Sequence, residues 1–105
     1  MPLWNPYSGG LVIMTGNYDG NDATDRAVFH GLVVVPKLVV IFFPNGTEFY
    51  WIYAGADGIL FVESSTQTRY AVRAMDITNF YVGNATSYQC SANLTGRNYR
   101  WSAIG

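Results

Sequence analysis

Charge is scarce in this chain. Asp, Glu, Lys and Arg make up 12% of its 105 residues, against about 25% in an average soluble domain. Six basic and seven acidic side chains leave a formal net charge of -1. No field of one sign exists to steer nucleic acid or an anionic membrane. Arg69, Arg73, Arg97 and Arg100 are too few and too scattered for a phosphate track. The single cysteine excludes an intrachain disulfide and a cysteine-based zinc site. The single histidine excludes any site that needs two imidazoles from one chain. No window shows a convincing 3.6-residue apolar period, so helix is expected only as one turn near Arg73 to Asp76. The longest apolar stretch, 32–43, is broken by Pro36 and Lys37 and is too short to span a bilayer as a helix. The opening residues Met1 to Tyr7 carry no basic run and no continuous apolar stretch, so a signal peptide is not expected. The expectation is a chain made in a cytoplasm that stays soluble there or leaves it as part of something larger.

Apolar side chains fill the gap that charge leaves. They reach 50% of the residues, and aromatics alone reach 16%. A domain of this size is mostly surface, and about 25–35% charged residues normally keep such a surface soluble. Depleted charge with enriched aromatics is the composition of an interface. The composition therefore predicts a chain that functions in an assembly, as a homo-oligomer or on a larger partner.

The order of the residues predicts two parts: an extended arm over 1–10 and one β-sandwich domain over 11–105. Pro2 and Pro6 break regular structure in the arm, and Gly9-Gly10 form a hinge. Leu3, Trp4 and Tyr7 are too apolar for a solvated tail, so they are the expected partner-binding anchors. From Gly10 onward, short apolar runs alternate with turn residues. Strands are expected at 11–14, 26–30, 38–43, 47–54, 59–62, 77–82 and 99–104, with weaker segments at 70–74 and 88–90. Gly16 to Asp22 reads as a loop. Leu38 to Phe43 is apolar on both faces, which predicts a central strand covered on both sides. Pro44-Asn45-Gly46 signals a hairpin. In the returning strand, Phe49, Trp51 and Tyr53 share one face, and Glu48, Tyr50 and Ile52 the other. Some eight strands with turn signals every 8–12 residues describe an all-β fold, an antiparallel β-sandwich or jelly-roll-like domain.

Few residues offer chemistry. Asp19, Asn21, Asp22 and Asp25 could supply oxygen ligands to calcium, but their spacing misses the calcium-loop pattern, and turns use these side chains for backbone hydrogen bonds. His30 has no G-x-S-x-G or comparable nucleophile motif to serve, and Cys90 has no basic neighbour in sequence to activate it. No acid, base and nucleophile set can be assembled, so no enzyme, catalytic residue, metal or cofactor is expected. Asn45, Asn84 and Asn93 each begin an N-x-[ST] triplet, read here as turn asparagines and not as glycosylation sites. Tyr18, Tyr50 and Tyr88 are the candidate surface aromatics for a partner, while Trp51, Tyr53, Tyr99 and Trp101 are candidates for the core.

Two segments resemble a known group of proteins. Thr15-Gly16-Asn17-Tyr18-Asp19-Gly20-Asn21, followed by Arg26-Ala27-Val28 and by Gly31 to Ile41 with Pro36, is similar to the "TG-x-Y-x-GN … I-x-x-G-(x)-x-P-x-x-V-x-I" opening of small all-β domains in tailed-phage virion proteins. The ending, Ala92-Asn93-Leu94-Thr95-Gly96-Arg97-Asn98-Tyr99-Arg100-Trp101-Ser102-Ala103-Ile104-Gly105, resembles their closing "N-x-x-G-x-x-Y-x-[YW]-x-A" strand. The matches cover about a third of the chain, toward its two ends. Such domains occur in tail-fibre, tail-tip and head-surface proteins. A 105-residue copy with an aromatic arm most resembles a capsid decoration, or cement, protein. The resemblance implies a homo-oligomer, a trimer by preference, bound to the major capsid protein on the virion surface after assembly in the host cytoplasm. It also leaves open a tail-fibre or tail-tip module that binds a receptor or glycan.

Overall fold

The computed structural model describes residues 12–44, 46, 48–63, 68–84 and 92–105. The anchors Leu3, Trp4 and Tyr7, together with Tyr88 and Cys90, lie outside the described residues. Among the described residues eight strands run in chain order: β1 (Ile13–Asp19), β2 (Arg26–Phe29), β3 (Leu38–Phe42), β4 (Phe49–Tyr53), β5 (Ile59–Glu63), β6 (Thr68–Ala71), β7 (Asn79–Val82) and β8 (Asn98–Ile104). They form a six-stranded sheet in the order β1-β8-β3-β4-β5-β6 and a two-stranded sheet of β2 and β7. Every strand pairing is antiparallel. The fold is thus all-β, with a small second sheet lying on one face of a large one.

Strict alternation along the strands explains the core. Val39 and Ile41 of β3, Tyr50 and Ile52 of β4, Leu60 and Val62 of β5, and Tyr99, Trp101 and Ala103 of β8 all point to one side and are buried. Period-two patterning requires this, because successive side chains leave a strand on opposite faces. Val28 of β2 and Phe80 and Val82 of β7 close the core from the other side. Phe80 meets Trp101 edge-on, with ring centroids 5.4 Å apart. Tyr18 stacks on Tyr99 at 5.2 Å.

Several expectations from the sequence need correction. Gly16 to Asp19 belongs to β1 and is not loop: it pairs residue for residue with β8, Gly16 opposite Trp101 and Tyr18 opposite Tyr99. Gly16 is required because a Cβ there would lie 2.6 Å from the Trp101 ring. The only helical turn among the described residues is a 3₁₀ turn at Ala54–Ala56, and Arg73 to Asp76 has no regular secondary structure. The run 38–43 is not covered on both sides, for Phe42 is 41% exposed while Val39 and Ile41 are fully buried. The small sheet is only two strands wide and covers one face alone.

The loops at one end are tied by polar side chains. Asn93 is fully buried. Its amide donates to Asn21 Oδ1 and to the Ala23 carbonyl, both at 2.9 Å. Its Oδ1 accepts from the Asn21 N–H at 3.2 Å and from Arg26 at 3.3 Å. Asp22 Oδ1 accepts from the Thr95 N–H at 2.8 Å. These bonds meet the hydrogen-bonding needs of a buried amide, as burial demands.

Candidate functional site

Two expected contact residues are core residues. Tyr18 is 6% exposed and Tyr50 is fully buried. Tyr18 faces inward because β1 extends through it, and Tyr50 because β4 turns its Tyr50–Ile52 face to the core. Conversely, Trp51 is half-buried and Tyr53 is 41% exposed, on the opposite face from the core. Alternation along β4 separates the two faces as expected, but Tyr50 and Ile52 point into the core while Trp51 and Tyr53 point away from it. Both faces are apolar, so hydrophobicity alone could not orient the strand.

The polar candidates are occupied structurally. His30 is 1% exposed. Its Nδ1 accepts the Leu32 N–H at 3.0 Å, and its Nε2 lies 2.8 Å from the Asp76 carbonyl oxygen. That pattern is a neutral ring with the proton on Nε2, bridging two chain segments. The acidic loop spends its side chains on turns and neighbours: Asn21 caps the Ala23 N–H at 3.0 Å, Asp25 pairs with Arg73, and Asp19 accepts from Asn98 at 3.0 Å. Asn93 is too buried to carry a glycan, and the Asn84 amide donates to the Ala71 carbonyl at 2.7 Å.

Among the described residues, the candidate contact surface is the outer face of the six-stranded sheet. The strand registers arrange it in rows. One row reads Thr15, Ser102, Val40, Trp51, Phe61, Arg69. A second, two residues along each strand, reads Ile13, Ile104, Leu38, Tyr53, Ile59, Ala71. A third reads Asn17, Arg100, Phe42, Phe49, Glu63. The β3–β5 part of this plate is almost continuously apolar. Its rings are already ordered: Trp51 stacks on Phe61 at 5.4 Å with an 11° interplanar angle, Tyr53 stacks on Phe61 at 5.7 Å, and Phe49 leans on Trp51 at 5.7 Å. Beside these rings, over β1, β8 and β3, lies an open depression of about 350 Å³ lined by Thr15, Gly16, Asn17, Phe42, Arg100, Trp101 and Ser102.

Arginines have a consistent use here. Arg26 lies over the Tyr18 ring at 5.0 Å, Arg69 over Phe61 at 5.8 Å, Arg73 over Tyr81 at 5.0 Å and Arg97 over Phe43 at 4.6 Å. Each charge is thereby placed on a ring face that attracts it. Among the described residues Arg100 has no such ring, and it stands at the rim of the depression.

An apolar sheet face of this kind is what association chemistry uses. Antiparallel sheets normally keep one face polar toward water. Contiguous apolar patches beyond a few hundred Å² mark interaction sites. The sequence signal for it was the run 38–43 together with Phe49, Trp51, Tyr53 and Phe61 at alternate positions. No protein-family model matches the chain, no curated protein matches it, and no solved structure matches its fold. The motif segments lie in β1, in β2 and the stretch that leads into β3, and in β8.

Proposed function

We infer that this chain is a structural surface protein of a tailed-phage virion, a head decoration or cement protein that acts by burying its aromatic sheet face against neighbouring subunits and its N-terminal anchors against the major capsid protein. One observation carries the reading. The outer sheet face carries ordered, stacked rings, with Phe49 and Tyr53 exposed and Trp51 and Phe61 half-buried, on a chain whose charge is too sparse to suit a solitary surface. Burial of apolar area is worth roughly 25 cal/mol per Å² before association costs are subtracted. Many small domains on a shell, each covering a seam between subunits, would add that gain many times over and raise the resistance of the head to expansion or heat. The work is binding, and no catalytic group enters it. Its location is the outer surface of the capsid, reached from the host cytoplasm during assembly, and clustering of copies is part of the mechanism.

The test is binding of the purified protein to undecorated expanded heads. Saturable occupancy and a higher head-melting temperature are expected. Removal of residues 1–8 should abolish binding and leave the domain folded. Wild-type occupancy by the truncated protein would reject the anchoring role of Leu3, Trp4 and Tyr7, and an absence of binding by the intact protein would reject the decoration reading.

A second reading has its own observation. Flat rings beside a depression lined by Thr15, Asn17, Arg100 and Ser102 are also what a sugar requires, with a stacking surface next to hydrogen-bonding groups. A tail-tip module that binds a receptor glycan is therefore the alternative. It predicts glycan-array signals that vanish in Trp51→Ala.

A further inference from the structure

We propose that the outer face of the six-stranded sheet docks on the same face of a second copy of this chain, about a two-fold axis that runs parallel to the strands between β3 and β4. This rests on the association reading above and names the partner of that face.

The argument is one of register and charge. Two in-plane two-fold axes through the centre of the plate keep the strands of the two copies aligned. The axis perpendicular to the strands sets each strand over its own copy, so Arg69 in the central row lies on Arg69 and Arg100 lies on Ile104. Both contacts are unfavourable, the first by repulsion and the second by stranding a charge on apolar surface. The axis parallel to the strands exchanges columns and keeps rows. It sets β8 over β5 and β3 over β4, following the order β1-β8-β3-β4-β5-β6. Arg100 then faces Glu63 of the other copy, twice by symmetry. Phe42 faces Phe49, and Val40 faces Trp51. Arg69 falls opposite Thr15.

Shape agrees with charge. The stacked rings of Trp51 and Phe61 stand on the β4–β5 half, and the depression of about 350 Å³ lies on the β1–β8–β3 half. The strand-parallel axis places the ring-bearing half of each copy over the half of its partner that holds the depression. Such a self-complementary contact is isologous and closes at two copies. Six strands about 4.8 Å apart and three rows about 7 Å apart give a plate on the order of 600 Å². That is about three quarters of the ~800 Å² per partner of a standard interface, so a concentration-dependent dimer is expected.

The test is sedimentation equilibrium or light scattering of the full chain up to ~100 µM. The expected mass rises toward twice 11.6 kDa. Arg100→Glu and Glu63→Arg, each of which creates two like-charge contacts per pair, should each weaken association about tenfold, and the double variant should return to within about threefold of wild type. These positions lie on the open face, and an unchanged near-ultraviolet circular dichroism spectrum will show that the variants fold. A limiting mass of three copies, a monomer at every concentration, or a double variant no better than the singles would each overturn the proposal. A monomer that still saturates phage heads would reject the pairing and keep the decoration reading. A monomer that binds neither heads nor itself, yet binds an immobilised glycan, would reject both.

Discussion

The hydroxyl of Tyr18 donates to the carbonyl oxygen of Ala92, 74 residues further along the chain, at 2.7 Å. Both residues are buried, and the bond closes β1 onto the loop that precedes β8. Tyr18→Phe keeps the ring and its stacking on Tyr99 but leaves a buried carbonyl without its partner. The expected cost is about 1–3 kcal/mol, read as a lower urea midpoint at unchanged slope. Burial, followed by the neighbouring Tyr99 and Tyr50, pushes the Tyr18 hydroxyl well above its ordinary 10.0, against a smaller opposing pull from Arg26. A raised folded value means stability that is complete below 10.0 and lost as the pH climbs above it. The variant should therefore lose less stability than wild type under alkaline conditions. Equal alkaline losses would refute this role.

At acid pH the responsible group is Asp76. Its Oδ2 accepts the Tyr81 hydroxyl at 2.6 Å, and its Oδ1 accepts the Asn79 and Thr78 N–H groups at 2.7 and 2.9 Å. The Tyr81 bond first, then the two backbone donors, hold this carboxyl below its ordinary 3.8. A lowered folded value gives stability that is present above 3.8 and lost as the pH falls through the folded value. Denaturant midpoints should therefore drop below about pH 4, and Asp76→Asn should flatten that drop while it weakens the protein at neutral pH. An Asp76→Asn profile parallel to wild type would show that other carboxylates govern the acid limb.

Gly83 and Gly96 both have a φ of +95°, and their surroundings differ. A Cβ at Gly83 would strike the carbonyl oxygen of Ala23, whereas a Cβ at Gly96 meets nothing within 4 Å. Gly96→Ala should thus cost only the backbone penalty, about 1–2 kcal/mol. Gly83→Ala should cost that and a displaced β2 approach, about 3 kcal/mol or more. Thermal unfolding of the pair separates the two terms, and equal losses would contradict the packing at Gly83.

Val33 holds a φ of +58° with its side chain 80% exposed. A β-branched residue is poorly suited to that conformation. Asn accepts it more readily. Val33→Asn should stabilise by about 1 kcal/mol and raise the midpoint by several degrees, roughly 4–8 °C for a domain of this size. A lower midpoint would mean that the valine makes a stabilising contact which its exposure does not reveal.

The chain by itself determined the class of fold. Turn residues at short intervals and apolar residues at alternate positions leave antiparallel sheet as the architecture, and β2, β3, β4, β5, β7 and β8 fall within a few residues of where that pattern sets them. It also determined that Phe49, Trp51 and Tyr53 share one face and Tyr50 and Ile52 the other. Only the tertiary structure decided which face is inside. Both sides of β3 and β4 are hydrophobic, so the choice passed to what could cover them, and the β2–β7 pair is wide enough for one side alone. The same is true of β1. Its Gly16-Asn17-Tyr18-Asp19 run has the local chemistry of a turn, yet residues from the far end of the chain supply β8 as its partner. Pairing between segments some 80 residues apart leaves no mark in local spacing, because its hydrogen bonds involve backbone groups that every residue shares.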